Sequence, residues 1–135
     1  MTVIYTMHLT TKFAVSLSGF RCEIKTVSKV AVTTGGSISI PCLYGQSYRE
    51  HVKYLCKGYF WLTCDDVIAI RPKEKNNRSG RFSISDDTNQ RTFTVTINDV
   101  TNTDKYFSCA VRIKNKKDVQ QHFELSVTSG TVKIP

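Results

Sequence analysis

Five cysteines and three histidines are the side chains in this sequence best suited to chemistry. The cysteines stand at positions 22, 42, 56, 64 and 109, and the histidines at 8, 51 and 122. A structural zinc site needs closely paired ligands, such as Cys-x-x-Cys or His-x-x-x-His, because four side chains must converge on one ion. Neither spacing occurs, and no histidine lies within four residues of a cysteine. No metal is expected. Nucleophilic catalysis has as little to work with. Serine, histidine and aspartate are all present, but there is no Gly-x-Ser-x-Gly elbow, no metalloprotease motif and no glycine-rich phosphate loop. The chain reads as a binding protein, not an enzyme, with no cofactor. Disulfide formation remains. So many cysteines in 135 residues fit an oxidising, extracellular setting better than a reducing one.

The net charge is +8, which favours acidic partners. Lysines and arginines are scattered rather than gathered into a run, and no nucleic acid partner is expected. The longest apolar run, Val67-Ile68-Ala69-Ile70, is strand-sized and far short of the ~20 residues of a membrane helix. Residues 1–20 hold an apolar patch from Phe13 to Leu17, but His8, Thr10, Thr11 and Lys12 interrupt what should be a leader's apolar centre.

From Val27 onward, apolar and polar residues alternate with period two between clusters of Gly, Pro, Asn and Asp. This is the pattern of short antiparallel strands with one buried face. Strands are expected at Val27–Val32, Ser37–Tyr44, His51–Cys56, Asp66–Ile70, Arg81–Ser85, Thr92–Ile97, Lys105–Ile113 and Gln121–Val127, with a polar loop from Pro72 to Gly80. An all-β, immunoglobulin-like variable-type (V-set) antiparallel sandwich fits this spacing. Residues 1–25 are read as a leader remnant or N-terminal extension, 26–128 as the domain, and 129–135 as a stalk or chain end. Cys42 and Cys109 each fall inside an alternating strand, where such a sandwich carries its core disulfide. Closing so long a loop is worth ~4.4 kcal/mol in the chain-entropy model. Where such domains carry a core tryptophan on the third strand, this chain has Leu55. Phe107 takes the place of the tyrosine two residues before the second cysteine and has no hydroxyl for the corner hydrogen bond.

The segment His51-Val52-Lys53-Tyr54-Leu55-Cys56-Lys57-Gly58, followed by Cys64, resembles the Lys-Tyr-Trp-Cys-Lys…Cys motif of the polymeric immunoglobulin receptor. The same motif marks leukocyte mono-immunoglobulin-like receptors and the novel immunoglobulin-like transcripts of bony fish. Val32 to Tyr44, Ser83 to Asp87 and Phe93 to Ile97 are similar to other strands of that group. The resemblance covers residues 26–128 and implies a second disulfide, Cys56–Cys64, between the third strand and its neighbour. Arg81-Phe82-Ser83-Ile84-Ser85 resembles the D strand of variable domains, which implies a salt bridge from Arg81 to Asp104, here one residue off the usual position. The last strand, Gln121 to Val127, lacks the Gly-x-Gly bulge of antigen-receptor domains, which argues against an antibody or T-cell-receptor chain. Cys22 is left over.

Function in such a domain is expected in its loops. The loop before the motif offers Tyr48, Arg49, Glu50 and His51. The disulfide-closed hairpin offers Tyr59, Phe60 and Trp61, rigid aromatics suited to an interface. The last hairpin offers Lys114, Lys116 and Lys117. Asn77-Arg78-Ser79 is a sequon for N-glycosylation. The expected role is the extracellular ligand-binding domain of a membrane-anchored immune receptor, monomeric as a domain. It would recognise a protein ligand, with immunoglobulin a candidate. Anionic phospholipid headgroups and homotypic adhesion are the alternatives.

Overall fold

Alternation along each strand decides which face enters the core. In the strand Thr92–Ile97, Phe93, Val95 and Ile97 are buried while Thr92, Thr94 and Thr96, which alternate with them, look outward. A computed structural model describes residues 2–4, 24–59 and 63–129. Its strands are β1 (Thr2–Ile4), β2 (Ile24–Lys25), β3 (Lys29–Thr33), β4 (Ser37–Tyr44), β5 (Lys53–Lys57), β6 (Asp65–Ile70), β7 (Asn76–Ser79), β8 (Phe82–Asp87), β9 (Thr92–Ile97), β10 (Tyr106–Val111) and β11 (Val119–Thr128).

They form two sheets. The back sheet runs β1-β4-β9-β8-β7, with β2 also on β4, and the front sheet runs β3-β11-β10-β5-β6. Between them lies one apolar core. Ile38, Ile40, Phe93 and Val95 enter it from behind, and Leu55, Ile70, Phe107 and Phe123 from the front. The Cys42–Cys109 disulfide crosses this core from β4 to β10. Leu55 sits opposite Cys109 in the β5–β10 pairing and is fully buried. Phe107 stacks on Phe123 with ring centroids 5.7 Å apart, a packing contact that needs no hydroxyl.

Four elements differ from the sequence reading. β1, within the residues read as a leader remnant or extension, pairs in parallel with β4 from Thr2↔Ser37 to Ile4↔Ser39. The polar stretch Pro72–Gly80 contains β7, which pairs with β8 from Asn76↔Ser85 to Ser79↔Phe82. All four of its side chains are exposed, so no alternation announces it. The expected Val27–Val32 strand begins at Lys29. Ile24 and Lys25, assigned to the N-terminal extension, form β2 against Tyr44 and Leu43, with Ile24 buried. Other strand ends move by one or two residues, within the ordinary ambiguity of fraying ends.

Candidate ligand-binding face

The outer face of the front sheet has a hollow, and its origin is the size of the side chains on β10. Phe107, Cys109 and Val111 point inward, which sends Tyr106, Ser108 and Ala110 outward. In register, Ser108 lies between Cys56 and His122, and Ala110 between Tyr54 and Gln120. Two small residues on the central strand, flanked by larger ones, leave a concavity. Its volume is about 680 Å³, and Tyr54, Tyr59, Cys64, Ser108, Lys117, Asp118, Gln120 and His122 line it. That lies within the range of sites that hold small ligands or an anchoring side chain.

One wall is the hairpin between β5 and β6. The Cys56–Cys64 disulfide closes it across eight positions on the outer face, where Tyr54, Cys56 and Ala110 form a small cluster separate from the main core. Gly58 permits the tight closure: a Cβ there would lie 2.5 Å from the Thr63 carbonyl oxygen. Tyr59 projects from this hairpin, 55% exposed, and meets Tyr106 edge-on at 4.7 Å. Phe60 and Trp61, singled out from sequence as anchors, lie outside the described residues, as does Cys22.

The opposite wall is the hairpin between β10 and β11. The Asp118 carboxylate accepts hydrogen bonds from the Tyr54 hydroxyl and from the Ile113 amide at 3.1 Å. It thereby ties the hairpin to β5. Burial, reinforced by the bond to Asp118, pushes the Tyr54 phenol up to about 12, so at neutral pH it is a fixed donor. Arg112 stacks over the Tyr54 ring at 4.7 Å and pairs with Asp66 at 2.9 Å; both partners are half-exposed, where such pairs contribute little. Lys114, Lys116 and Lys117 are exposed along this rim, and Asn115 makes the turn in the left-handed region at φ 62°.

The loop between β4 and β5 adjoins this end, since the Arg112 amide donates to the Val52 carbonyl at 2.9 Å. Its four candidate residues do not all face outward. Tyr48, expected at the surface, is buried and packs edge-on to His51 at 5.5 Å. Only 7% of Tyr48 is accessible, because the loop makes a 3-10 turn over Gln46–Tyr48 that folds the ring onto the core. Arg49 and His51 are partly buried and Glu50 is exposed.

Beneath that loop lies a cluster that sequence reading missed. Lys53 points inward and is fully buried. Its ammonium donates to Asp86 Oδ2 and to the Arg49 carbonyl, both at 2.8 Å, and sits 4.2 Å from the Tyr44 ring centroid. The Tyr44 hydroxyl donates to Asp86 Oδ1 at 2.7 Å. Burial lowers the Lys53 ammonium, against the raising effect of the Asp86 bond. Burial and Asp86 push the Tyr44 phenol well above its ordinary value. The available signal was that Leu55 at a core position sends Lys53 to the same side. At the far end of the sandwich, Arg81 grips Asp104 with two bonds of 2.6 and 2.7 Å. Lys57 adds a third at 2.7 Å and the Thr101 amide a fourth at 2.8 Å. Burial alone would raise the Asp104 carboxyl, but these bonds outweigh it and hold it well below the usual carboxylate range. Among the described residues, no group of His, Cys, Asp and Glu could hold a metal.

A sandwich with this strand order and two such disulfides defines a class. A model of the immunoglobulin V-set domain matches residues 25–128, and the chain belongs to that family. Within it, the chain is 39% identical over 83 residues to human CMRF35-like molecule 7, covering 61% of this chain and 40% of that protein. It is 33% identical over 87 residues to mouse CMRF35-like molecule 8, covering 64% and 27%. The chain thus spans less than half the length of these relatives. Its structure superposes on a teleost fish polymeric Ig receptor ectodomain with a TM-score of 0.66 at 29% identity, covering 78% of this chain and 50% of that one. The first Ig domain of mouse polymeric immunoglobulin receptor shares the fold at the same TM-score and 23% identity, with 82% and 98% covered. The chain is thus an immunoglobulin V-set domain related to CMRF35-like molecules and to polymeric Ig receptor domains.

Proposed function

We propose that this domain is the extracellular ligand-binding domain of an immune receptor. It holds a protein ligand across the hollow of the front sheet, rimmed by the two hairpins. The observation that carries this reading is convergence. Tyr59 from one hairpin and Lys117 from the other line the same concavity, whose floor comes from strands β5, β10 and β11. A concave patch with an exposed aromatic at its edge suits an anchoring side chain of a partner. The β4–β5 loop contributes Arg49, Glu50 and His51 at the margin rather than the centre. The teleost neighbour is, by name, a receptor for polymeric Ig, which makes polymeric immunoglobulin the first ligand to test.

Binding to immobilised polymeric immunoglobulin is to be measured for wild type, for a Tyr59→Ala/Lys117→Ala/His122→Ala variant and for Arg49→Ala/His51→Ala. In the triple variant, loss of the Tyr59 and Lys117 anchors alone, at ~1–2 kcal/mol each, weakens binding by about 30-fold or more. Unchanged affinity in the triple variant would remove the hollow from the interface. A second reading rests on the three exposed lysines of the β10–β11 rim. Vesicles containing phosphatidylserine should then retain the domain, and a Lys114→Ala/Lys116→Ala/Lys117→Ala variant should be released. Equal retention on neutral vesicles rejects that reading.

A further inference from the structure

We propose that Asn77 carries an N-linked glycan that seals the β6–β7 edge of the sandwich. Both sheets end there, the front on β6 and the back on β7. An edge strand offers unpaired backbone donors and acceptors to any passing chain, and proteins protect such edges with charge, proline, bulges or a cover. β7 contains no proline and a single charge, Arg78.

The local chemistry suits attachment. Residues two apart on a strand share a face, so Asn77 and Ser79, the acceptor amide and its required hydroxyl, point the same way. Both line a groove of about 440 Å³, with Val67 and Ala69 as its apolar side. The Asn77 amide is already oriented. Its Oδ1 accepts from the Arg78 amide at 2.8 Å and its Nδ2 donates to the Ala69 carbonyl at 2.8 Å. Nδ2 has two hydrogens, so one can be replaced while the other keeps the Ala69 bond. In the transfer, Nδ2 forms a bond to the sugar C1 as the C1–O bond to a lipid-diphosphate-linked oligosaccharide breaks. The lipid diphosphate leaves and the Nδ2 proton passes to a base of the transferase. The first sugar then lies along Val67 and Ala69. The groove shares no lining residue with the hollow of the front sheet, so the glycan blocks edge pairing and leaves the binding face open.

The test is secretion of the chain, behind a secretion leader, from a eukaryotic host. Intact mass should show one glycan that a peptide N-glycosidase removes, leaving an aspartate at position 77. Asn77→Gln and Ser79→Ala should each abolish it, and Ser79→Thr should retain it. A bare asparagine at 77 in the secreted wild type overturns the assignment. For the sealing role, enzymatic removal from the folded protein avoids any variant that fails to fold. Amide hydrogens of residues 76–79 should exchange at least fivefold faster after removal, and unchanged exchange overturns that role.

Discussion

Deleting the Asp86 carboxylate tests whether a buried charge joins the two sheets. Lys53 is fully buried and the Asp86 side chain is 5% exposed, so water cannot take over from either partner. Asp86→Ala leaves the ammonium with the Arg49 carbonyl and the face of Tyr44, and it strips the acceptor from the Tyr44 hydroxyl. Breaking one side of a buried pair costs ~3–5 kcal/mol. With a urea slope of ~2 kcal/mol per molar, the unfolding midpoint falls by about 2 M. Lys53→Met/Asp86→Leu/Tyr44→Phe, which removes every polar partner together, should cost much less, since apolar replacement of a buried pair is often near neutral. A pH signature separates charge from packing. Burial lowers Lys53 in the fold, and removing Asp86 lowers it further. The folded state then binds fewer protons than the unfolded chain, so stability rises with pH. The deficit of Asp86→Ala should narrow as pH rises toward the ~10 of a free lysine. A loss under ~1 kcal/mol with unchanged slope, or a deficit independent of pH, would refute the reasoning.

Other consequences follow from the same geometry. Asp104 is held below the usual carboxylate range, so its stabilisation is complete above ~4 and is lost as pH falls through that range toward its folded value. The stability gap between wild type and Asp104→Asn in urea should therefore shrink from pH 7 to about pH 3. Tyr54, raised to about 12, stabilises the fold below the ~10 of a free phenol and stops doing so as pH rises through its folded value. Ultraviolet titration should show a late-ionising phenol that Tyr54→Phe removes. The Cys56–Cys64 bridge spans eight positions and Cys42–Cys109 spans 67, worth ~2.5 and ~4.4 kcal/mol in the chain-entropy model. Cys56→Ala/Cys64→Ala should leave a cooperatively folded sandwich with faster amide exchange in the β5–β6 hairpin; global unfolding would contradict that division.

The fold was legible because its determinants are local and periodic. Phe93, Val95 and Ile97 declare a strand and its buried face without reference to anything distant. β7 was not legible, since a short strand exposed on both sides leaves no apolar imprint on Asn76–Ser79. The hollow was legible only in part. Tyr59 and Lys117 lie in loops that invite attention. Ser108, Ala110 and His122 become a site only through the register of β10 with β5 and β11, which no single segment encodes. Lys53 looks like a surface lysine until its burial is set by Leu55 beside it. Tyr48 misled in the opposite direction, as an aromatic in a loop whose 3-10 turn folds it inward.

That register also explains how the domain separates stability from recognition. On β10, Cys109 faces the core and its neighbour Ser108 faces the hollow. On β5, Leu55 faces the core opposite Cys109, and its neighbour Cys56 faces outward opposite Ser108. The same pair of strands thus carries one disulfide inside and the other outside, and each has its own set of packed neighbours. A substitution at Ser108 or His122 reshapes the concavity without touching Phe107, Leu55 or the inner bridge. Leu55 and Phe107, which replace a tryptophan and a tyrosine expected of such domains, alter the inner layer without altering the floor of the hollow. Within the outer layer, Asp118 couples the floor to the rim, since it binds both Tyr54 and the β10–β11 hairpin. Asp118→Ala should therefore loosen the rim and weaken ligand binding while costing the fold only the ~1–3 kcal/mol of unsatisfied Tyr54 and Ile113 donors.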